Sequence, residues 1–481
     1  MLCAGPSDMT GEYTDALRSP SADKPGIGSL AVPERLADSQ EPRSVWRFVA
    51  VATAVVVVLS IGTPLLGLRV FSGADVIQSF APWREHLESD WQIRRLPVGD
   101  TVDSFLPKQT EFGSRLWDGD YALWNPWAAG GAPLGSTISS ANLAPLNLPH
   151  LLLPDRLAPG VAKLLEMAVA AVGSYLLLRR LGLGRSGSAL AGLAYVNTGF
   201  QIAWTNWPQS HVGALLPVLL WSIERVLQDR DRRSVGISGL VLASMVLEGF
   251  VPVLLFATVL VAPYVVLRLW SDARSRPTRG EALATVSGRV VALGLAGVLG
   301  LALTAAQLLP FLQQSLGSVD LASREAGVVG QSLPETFLAT ALIPDALGSP
   351  VDGVDYGTVN YVERLSFLGV TVCVLALVGA LAPLRGARVC AARLALVAAA
   401  AILAVATYHG GLPLRLLQSL PGFDINHIGR ARSVLGLAVA MLAGFGFDHL
   451  VRADQTWSPA RKRVAVLVSV GASLAAGAVI S

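Results

Sequence analysis

Apolar runs of roughly 17–25 residues recur along this chain, the length needed to cross a hydrocarbon core about 30 Å thick. They cover 48–68, 160–178, 187–204, 210–227, 235–249, 252–267, 290–309, 366–384, 394–409, 433–447 and 464–480. A 481-residue chain with 52% hydrophobic and 15% charged residues, and a mean hydropathy of +0.53, holds more apolar side chains than one or two water-soluble cores can bury. The pattern predicts an all-α integral membrane protein with about eleven transmembrane helices. Two runs, 235–249 and 252–267, are short, and Gly249 and Pro252 between them leave open a single kinked element.

Orientation follows from the cations. With the N-terminus inside, the short inner segments hold clusters such as Arg179, Arg180 and Arg185, then Arg225, Arg230, Arg232 and Arg233. Further clusters are Arg268, Arg274, Arg276, Arg279 and Arg289, then Arg385, Arg388 and Arg393, then Arg452, Arg461, Lys462 and Arg463. The short outer turns near 207 and 250 hold none. This distribution fits the positive-inside rule. Residues 1–45 are polar and rich in Ser, Pro, Gly and Asp, and read as a disordered cytoplasmic tail. Residues 46–481 read as a polytopic membrane domain, with an uncleaved first helix. A net charge of +3 leaves no footprint for nucleic acid. Neither Cys3, Cys373 nor Cys390 pairs as a disulfide or metal site, and His409 and His427 lack the spacing and companions of a zinc site.

Three outer segments are long: 69–159, 310–365 and 410–432. The working surface is therefore expected outside the cytoplasm. The first loop is the most informative. In Gly73-Ala74-Asp75 through Pro82-Trp83 an Asp precedes a Pro by seven residues, and Asp100 precedes Pro107 by the same interval, with Asp103 between. Phe80 and Phe105 each stand two residues before their proline. Then come Leu123-Trp124-Asn125-Pro126-Trp127 and Gly130-Gly131-Ala132-Pro133-Leu134. Five of the eleven tryptophans fall between 83 and 127, which suits short amphipathic helices lying at the membrane interface. A carboxylate held there can take a proton from a hydroxyl, although capping and solvation are the plainer roles for Asp75, Asp100 and Asp103.

Other polar candidates lie near helix ends. Glu248 and His211 could line a cavity, and Glu363 opens a helix where capping is the simpler role. Arg324, Arg430 and Arg432 are outer cations suited to phosphate, with Arg84, Arg94, Arg95 and Lys108 behind them. No phosphate-binding glycine loop, nucleophile elbow or cofactor fingerprint is present in the sequence.

These pieces resemble, in order, the YfhO-type bacterial membrane proteins, which are similar to the GT-C superfamily of glycosyltransferases. The resemblance rests on the two Asp-to-Pro stretches and the 123–134 signature. It continues through Tyr175 to Arg185, Ala191 to Tyr195 and Trp207-Pro208, then Leu247 to Phe250, Gln307 to Pro310 and Asn360 to Glu363. It ends with Leu420 to Phe423, Arg430-x-Arg432 and Gly444 to Asp448, so that it spans roughly 65–450. It implies an enzyme of the bacterial plasma membrane that moves a sugar from a polyprenyl-phosphate donor to an extracytoplasmic cell-envelope acceptor. Asp100, with Asp103 one turn on, matches the position of the catalytic base, and Asp75 matches an upstream acidic position. Trp124, Asn125, Pro126 and Gly131 would shape the loop, and Arg324, Arg430 and Arg432 would hold the donor phosphate. The acidic dipeptide of some relatives is replaced here by Asp-x-x-Asp, so the choice of base stays open. No cofactor is implied with certainty, and a divalent metal shared by Asp100 and Asp103 also stays open. Such proteins usually carry more helices and often a soluble C-terminal domain, so a short or truncated form is expected. A transporter or flippase for lipid-linked glycans, or a non-catalytic envelope partner, is the competing reading.

Overall fold

The computed structural model describes residues 43–86, 99–128, 130–317, 320–349, 354–384 and 386–454. The tail up to residue 42, the span at 464–480, Cys3, Arg94, Arg95, Arg385, Arg461, Lys462 and Arg463 lie outside the described residues. The described residues are mostly helical, with two 2-stranded sheets among them. The principal helices are α1 (Arg43–Leu65), α2 (Leu106–Trp117), α3 (Ala158–Arg180), α4 (Arg185–Val196), α5 (Pro208–Asp229) and α6 (Arg232–Leu247). They continue with α7 (Val251–Arg274), α8 (Arg279–Leu316), α9 (Val370–Leu381), α10 (Ala387–Ala404) and α11 (Arg432–Asp454). Among the described residues, six helices are long and apolar enough to cross a membrane: α3, α5, α7, α8, and the stretches Ala387–His409 and Ile428–Arg452.

The 235–249 and 252–267 runs form two helices, α6 and α7. Gly249 between them has φ +77°, a left-handed conformation that a side chain resists, so the chain turns there instead of kinking. The 187–204 run is also divided, into α4 and a short helix Gly199–Ala203. Between them the N–H of Gly199 donates to the carbonyl of Phe367 at 2.7 Å, a partner from a distant segment that competes with helix continuation. The 366–384 run yields a helix of only 12 residues, α9.

Helix α11 is the axis of the bundle: Leu437, Ala438, Ala440, Met441 and Ala443 are fully buried. It packs closely on α9 through glycine. A Cβ added at Gly446 would stand 2.0 Å from the carbonyl oxygen of Leu375, and one at Gly379 equally close to that of Leu442. Small residues let two backbones touch where apolar burial gives no net drive in lipid. Asp448, on the same helix, accepts the N–H of Gly184 at 2.7 Å and so holds the start of α4.

Two ends of the bundle can be distinguished. At the loop end lie the long connections. At the arginine end, Glu224 of α5 is fully buried and ion-paired to Arg268 of α7, with Tyr264 Oη donating at 2.8 Å and Gln228 Nε2 at 2.6 Å. Arg268 also faces Asp272 at 3.4 Å, and Asp272 pairs with Arg289 of α8.

Candidate functional site

The acidic stretches of the first loop fold into two short turns, a 3-10 turn at Ala74–Ser79 and a π-helical turn at Thr101–Phe105. The two turns pack on each other, with Val76 buried against the segment at Gly99. Asp75 sits half-buried in the first. Asp103 is exposed in the second, and Asp100 is exposed just before it. Pro107 stands in the first turn of α2, where its missing N–H leaves no bond unmade. Behind these turns, Gln109 is fully buried and its Nε2 donates to the carbonyl of Ser140 at 2.7 Å. Asp100 and Asp103 therefore stand on a fixed ledge and face outward, while Asp75 is tucked partly beneath it. Lys108 Nζ bonds Ser104 Oγ at 3.0 Å, and Arg84 lies exposed in the turn Trp83–His86.

The 123–134 signature is a small antiparallel hairpin pairing Trp124 with Pro133 and Asn125 with Ala132. Asn125 Oδ1 accepts the N–H of Trp127 at 2.9 Å, closing a turn over Pro126. Gly131 has φ +117°, and an added Cβ would lie 2.5 Å from the ring of Trp124, so the indole covers this backbone. Arg115 donates to the carbonyl of Trp124 at 2.7 Å and pairs with Asp120 at 2.5 Å. Phe112, Ala122, Leu134 and Leu151 make a separate core beneath. Trp117 (73% exposed) and Trp127 (82% exposed) project from this body, as interface anchors would.

A buried polar network fastens the loop to the bundle. Glu248, between α6 and α7, accepts the N–H of Leu146 at 3.1 Å and faces His211 Nδ1 of α5 at 3.1 Å. The other ring nitrogen of His211 faces Glu166 of α3 at 3.5 Å. Glu166 also accepts from Lys163 Nζ at 2.6 Å and Ser210 Oγ at 3.0 Å, and Lys163 donates to the carbonyl of Gln201 at 2.8 Å. Of the three cavity candidates, Glu248 and His211 meet here, while Glu363 lies elsewhere. Lys163, Glu166 and His150 complete the network and were not among the residues singled out from sequence. The only available signal was the Lys163-x-x-Glu166 spacing, three apart on one helix face at a span's end. His150, in the short helix Leu148–Leu152, is held neutral: burial, then the neighbouring His211, pushes its pKa from 6.5 down to about 4.

The arginines gather at a second place on the loop end. Arg430 is ion-paired with Glu363, and its guanidinium lies 4.2 Å from the ring centre of Trp204 and 5.4 Å from that of Phe250. Trp204 meets Trp207 edge to face at 4.9 Å. Among the described residues, Arg430 Nη1 and the indole nitrogens of Trp204 and Trp207 are buried donors without a hydrogen-bond partner. Arg324, exposed on the helix Asp320–Val328, lies near enough to act on His427. Loss of solvent pushes the His427 pKa down, Glu363 opposes, and Arg430 and Arg324 push it down further. Arg432 is spent differently. It is buried, and its fork donates to the carbonyls of Gly429 (2.8 Å), Leu365 (2.5 Å) and Val362 (3.2 Å), which ties three segments together.

The two places are connected through Asn206, whose Nδ2 donates at 2.6 Å to the carbonyl of Phe71, at the head of the turn bearing Asp75. Its neighbour Trp207 belongs to the arginine group. A cation boxed by aromatic rings, with spare N–H donors, suits an oxygen-rich anion, and the exposed carboxylates of the first loop suit proton transfer. Among the described residues no group of three His, Cys, Asp or Glu side chains comes together as a metal site. Compared with known proteins, the chain matches no family model, no curated protein and no solved structure.

Proposed function

We propose that this chain is a GT-C-like glycosyltransferase of the bacterial plasma membrane, with about eleven spans and the N-terminus cytoplasmic. It would move a sugar from a polyprenyl-phosphate donor to a cell-envelope acceptor outside. The observation that carries the reading is the Arg430 box: a guanidinium between Trp204 and Phe250, with buried donors lacking partners and Arg324 close by. The resemblance to the YfhO-type proteins, which includes Arg430 and Phe250, agrees with this reading.

In this reading Asp100 or Asp103 takes the proton of the acceptor hydroxyl. That oxygen attacks the anomeric carbon, the bond from this carbon to the phosphate oxygen breaks, and the lipid phosphate leaves with the electron pair. A single displacement inverts the anomeric centre. Arg430 and Arg324 balance the charge that grows on the leaving phosphate. Arg432 shapes the site through the carbonyls it binds. No step requires a metal.

One observation favours the transporter reading: buried ionic groups stand at both ends of α5, at His211 and at Glu224, the kind of intramembrane charge that transporters use. An assay separates the two. Purified protein in nanodiscs receives a panel of radiolabelled polyprenyl-phosphate sugars and a crude envelope acceptor. Label passing to the acceptor supports the transferase. Label crossing a liposome bilayer while remaining on its lipid supports the transporter.

A further inference from the structure

Among the described residues, the charges at the arginine end do not balance. Arg230, Arg268 and Arg276 all lie close enough to Arg289 to repel it. Among the described residues, two carboxylates face these four guanidiniums: Glu224, taken up by Arg268, and Asp272, shared by Arg268 and Arg289. Asp229, at the end of α5, is already paired with Arg180 and Arg225. Arg289 is only 7% exposed, yet among the described residues its Nε–H has no hydrogen-bond partner, and neither has the Nε–H of Arg276 in the α7–α8 connection. Buried charged donors left unbonded are costly, and the group lacks an anion with several acceptor oxygens.

The surroundings indicate where that anion comes from. Beside the arginines, Trp270 is 50% exposed and carries Arg274 over its ring at 3.9 Å, an arrangement suited to the headgroup layer. Val266 of α7 and Leu283, Val290 and Val291 of α8 turn exposed apolar surface outward from the same region. This surface can receive acyl chains while the arginines hold a headgroup.

We infer that Arg230, Arg276 and Arg289 form a binding site for the phosphate of an anionic phospholipid, seated where α7 and α8 meet the membrane surface. The inference does not depend on the transferase reading. Basic pockets between helix ends bind such headgroups with a contribution that corresponds to about fivefold in affinity per arginine.

The test uses the full chain, delipidated in detergent, with lipid binding read by native mass spectrometry and by thermal shift. Phosphatidylglycerol is expected to bind and stabilise, whereas phosphatidylcholine does not. Arg276→Gln, in a connection outside the helix packing, should weaken phosphatidylglycerol about fivefold. Arg289→Gln should weaken it at least as much, and Arg415→Gln, exposed at the opposite end, should leave it unchanged. Equal binding of the two lipids would overturn the inference, as would full phosphatidylglycerol binding by folded Arg276→Gln. An Arg415→Gln effect as large as that of Arg276→Gln would reduce the site to general charge. A shift of the same size from inorganic phosphate alone would assign the site to a soluble anion instead.

Discussion

Replacing Gly249 with alanine tests whether the first loop is seated on the bundle as described. Gly249 has φ +77°, and a Cβ there would lie 2.0 Å from the carbonyl oxygen of Ile138 and 3.0 Å from its carbon. A carbon and a carbonyl oxygen approach no closer than about 3.3 Å, so the loop backbone must retreat by more than about 1 Å. Ile138 is fully buried, and the carbonyl of Ser140, two residues on, holds buried Gln109. The retreat therefore disturbs packing and a buried hydrogen bond together. A left-handed alanine costs about 1–2 kcal/mol and overpacking about 1–3 kcal/mol, which gives a destabilisation of about 2–5 kcal/mol. Gly236→Ala is the matched control: the position is inside α6 with nothing within 4 Å of the added Cβ, and alanine should stabilise by up to about 1 kcal/mol. Denaturant unfolding of both variants in the same detergent, with limited proteolysis of the 69–159 loop, reads the difference. Equal stability and equal loop protection in the two variants would refute the docking.

Two further outcomes follow from the buried network. Because His150 titrates near 4 when folded and near 6.5 when unfolded, stability should be full above pH 6.5 and fall as the pH drops towards 4, by about 3 kcal/mol in all. Unfolding measured across that range should show the slope, and His150→Gln should remove this contribution, leaving the smaller one of His427. Glu166→Ala strands the Lys163 ammonium in a site where that side chain is 7% exposed, and should destabilise by about 3–5 kcal/mol, whereas the pair Lys163→Met with Glu166→Leu should recover most of the loss. A single variant as stable as the double would refute the pairing.

Much of the helical framework was legible because lipid imposes a length and a composition on each span. The acidic turns and the hairpin were legible as shaped pieces, since proline and glycine restrict the backbone locally. What joins distant segments was not. The turn at Gly249 depends on a left-handed conformation that glycine permits but does not require. The 187–204 run reads as one span because its sequence cannot show that Phe367 will capture the N–H of Gly199. His211 and Glu248 were both singled out, but their meeting joins residues 37 apart, and the bond from Leu146 to Glu248 spans 102. Arg430 and Arg432 look alike two residues apart. Only packing reveals that one lies against aromatic rings and the other donates to carbonyls.

The most direct measurement is sugar transfer by purified protein in nanodiscs, comparing the wild type with Asp100→Asn, Asp103→Asn and Arg430→Gln. A transferase with its base on this ledge should lose about 100-fold or more in rate with one of the two aspartate substitutions, in protein that still folds. Arg430→Gln should also slow the reaction and weaken donor binding. Transfer at the wild-type rate by both aspartate variants, or none from any donor by the folded wild type, would contradict the proposal.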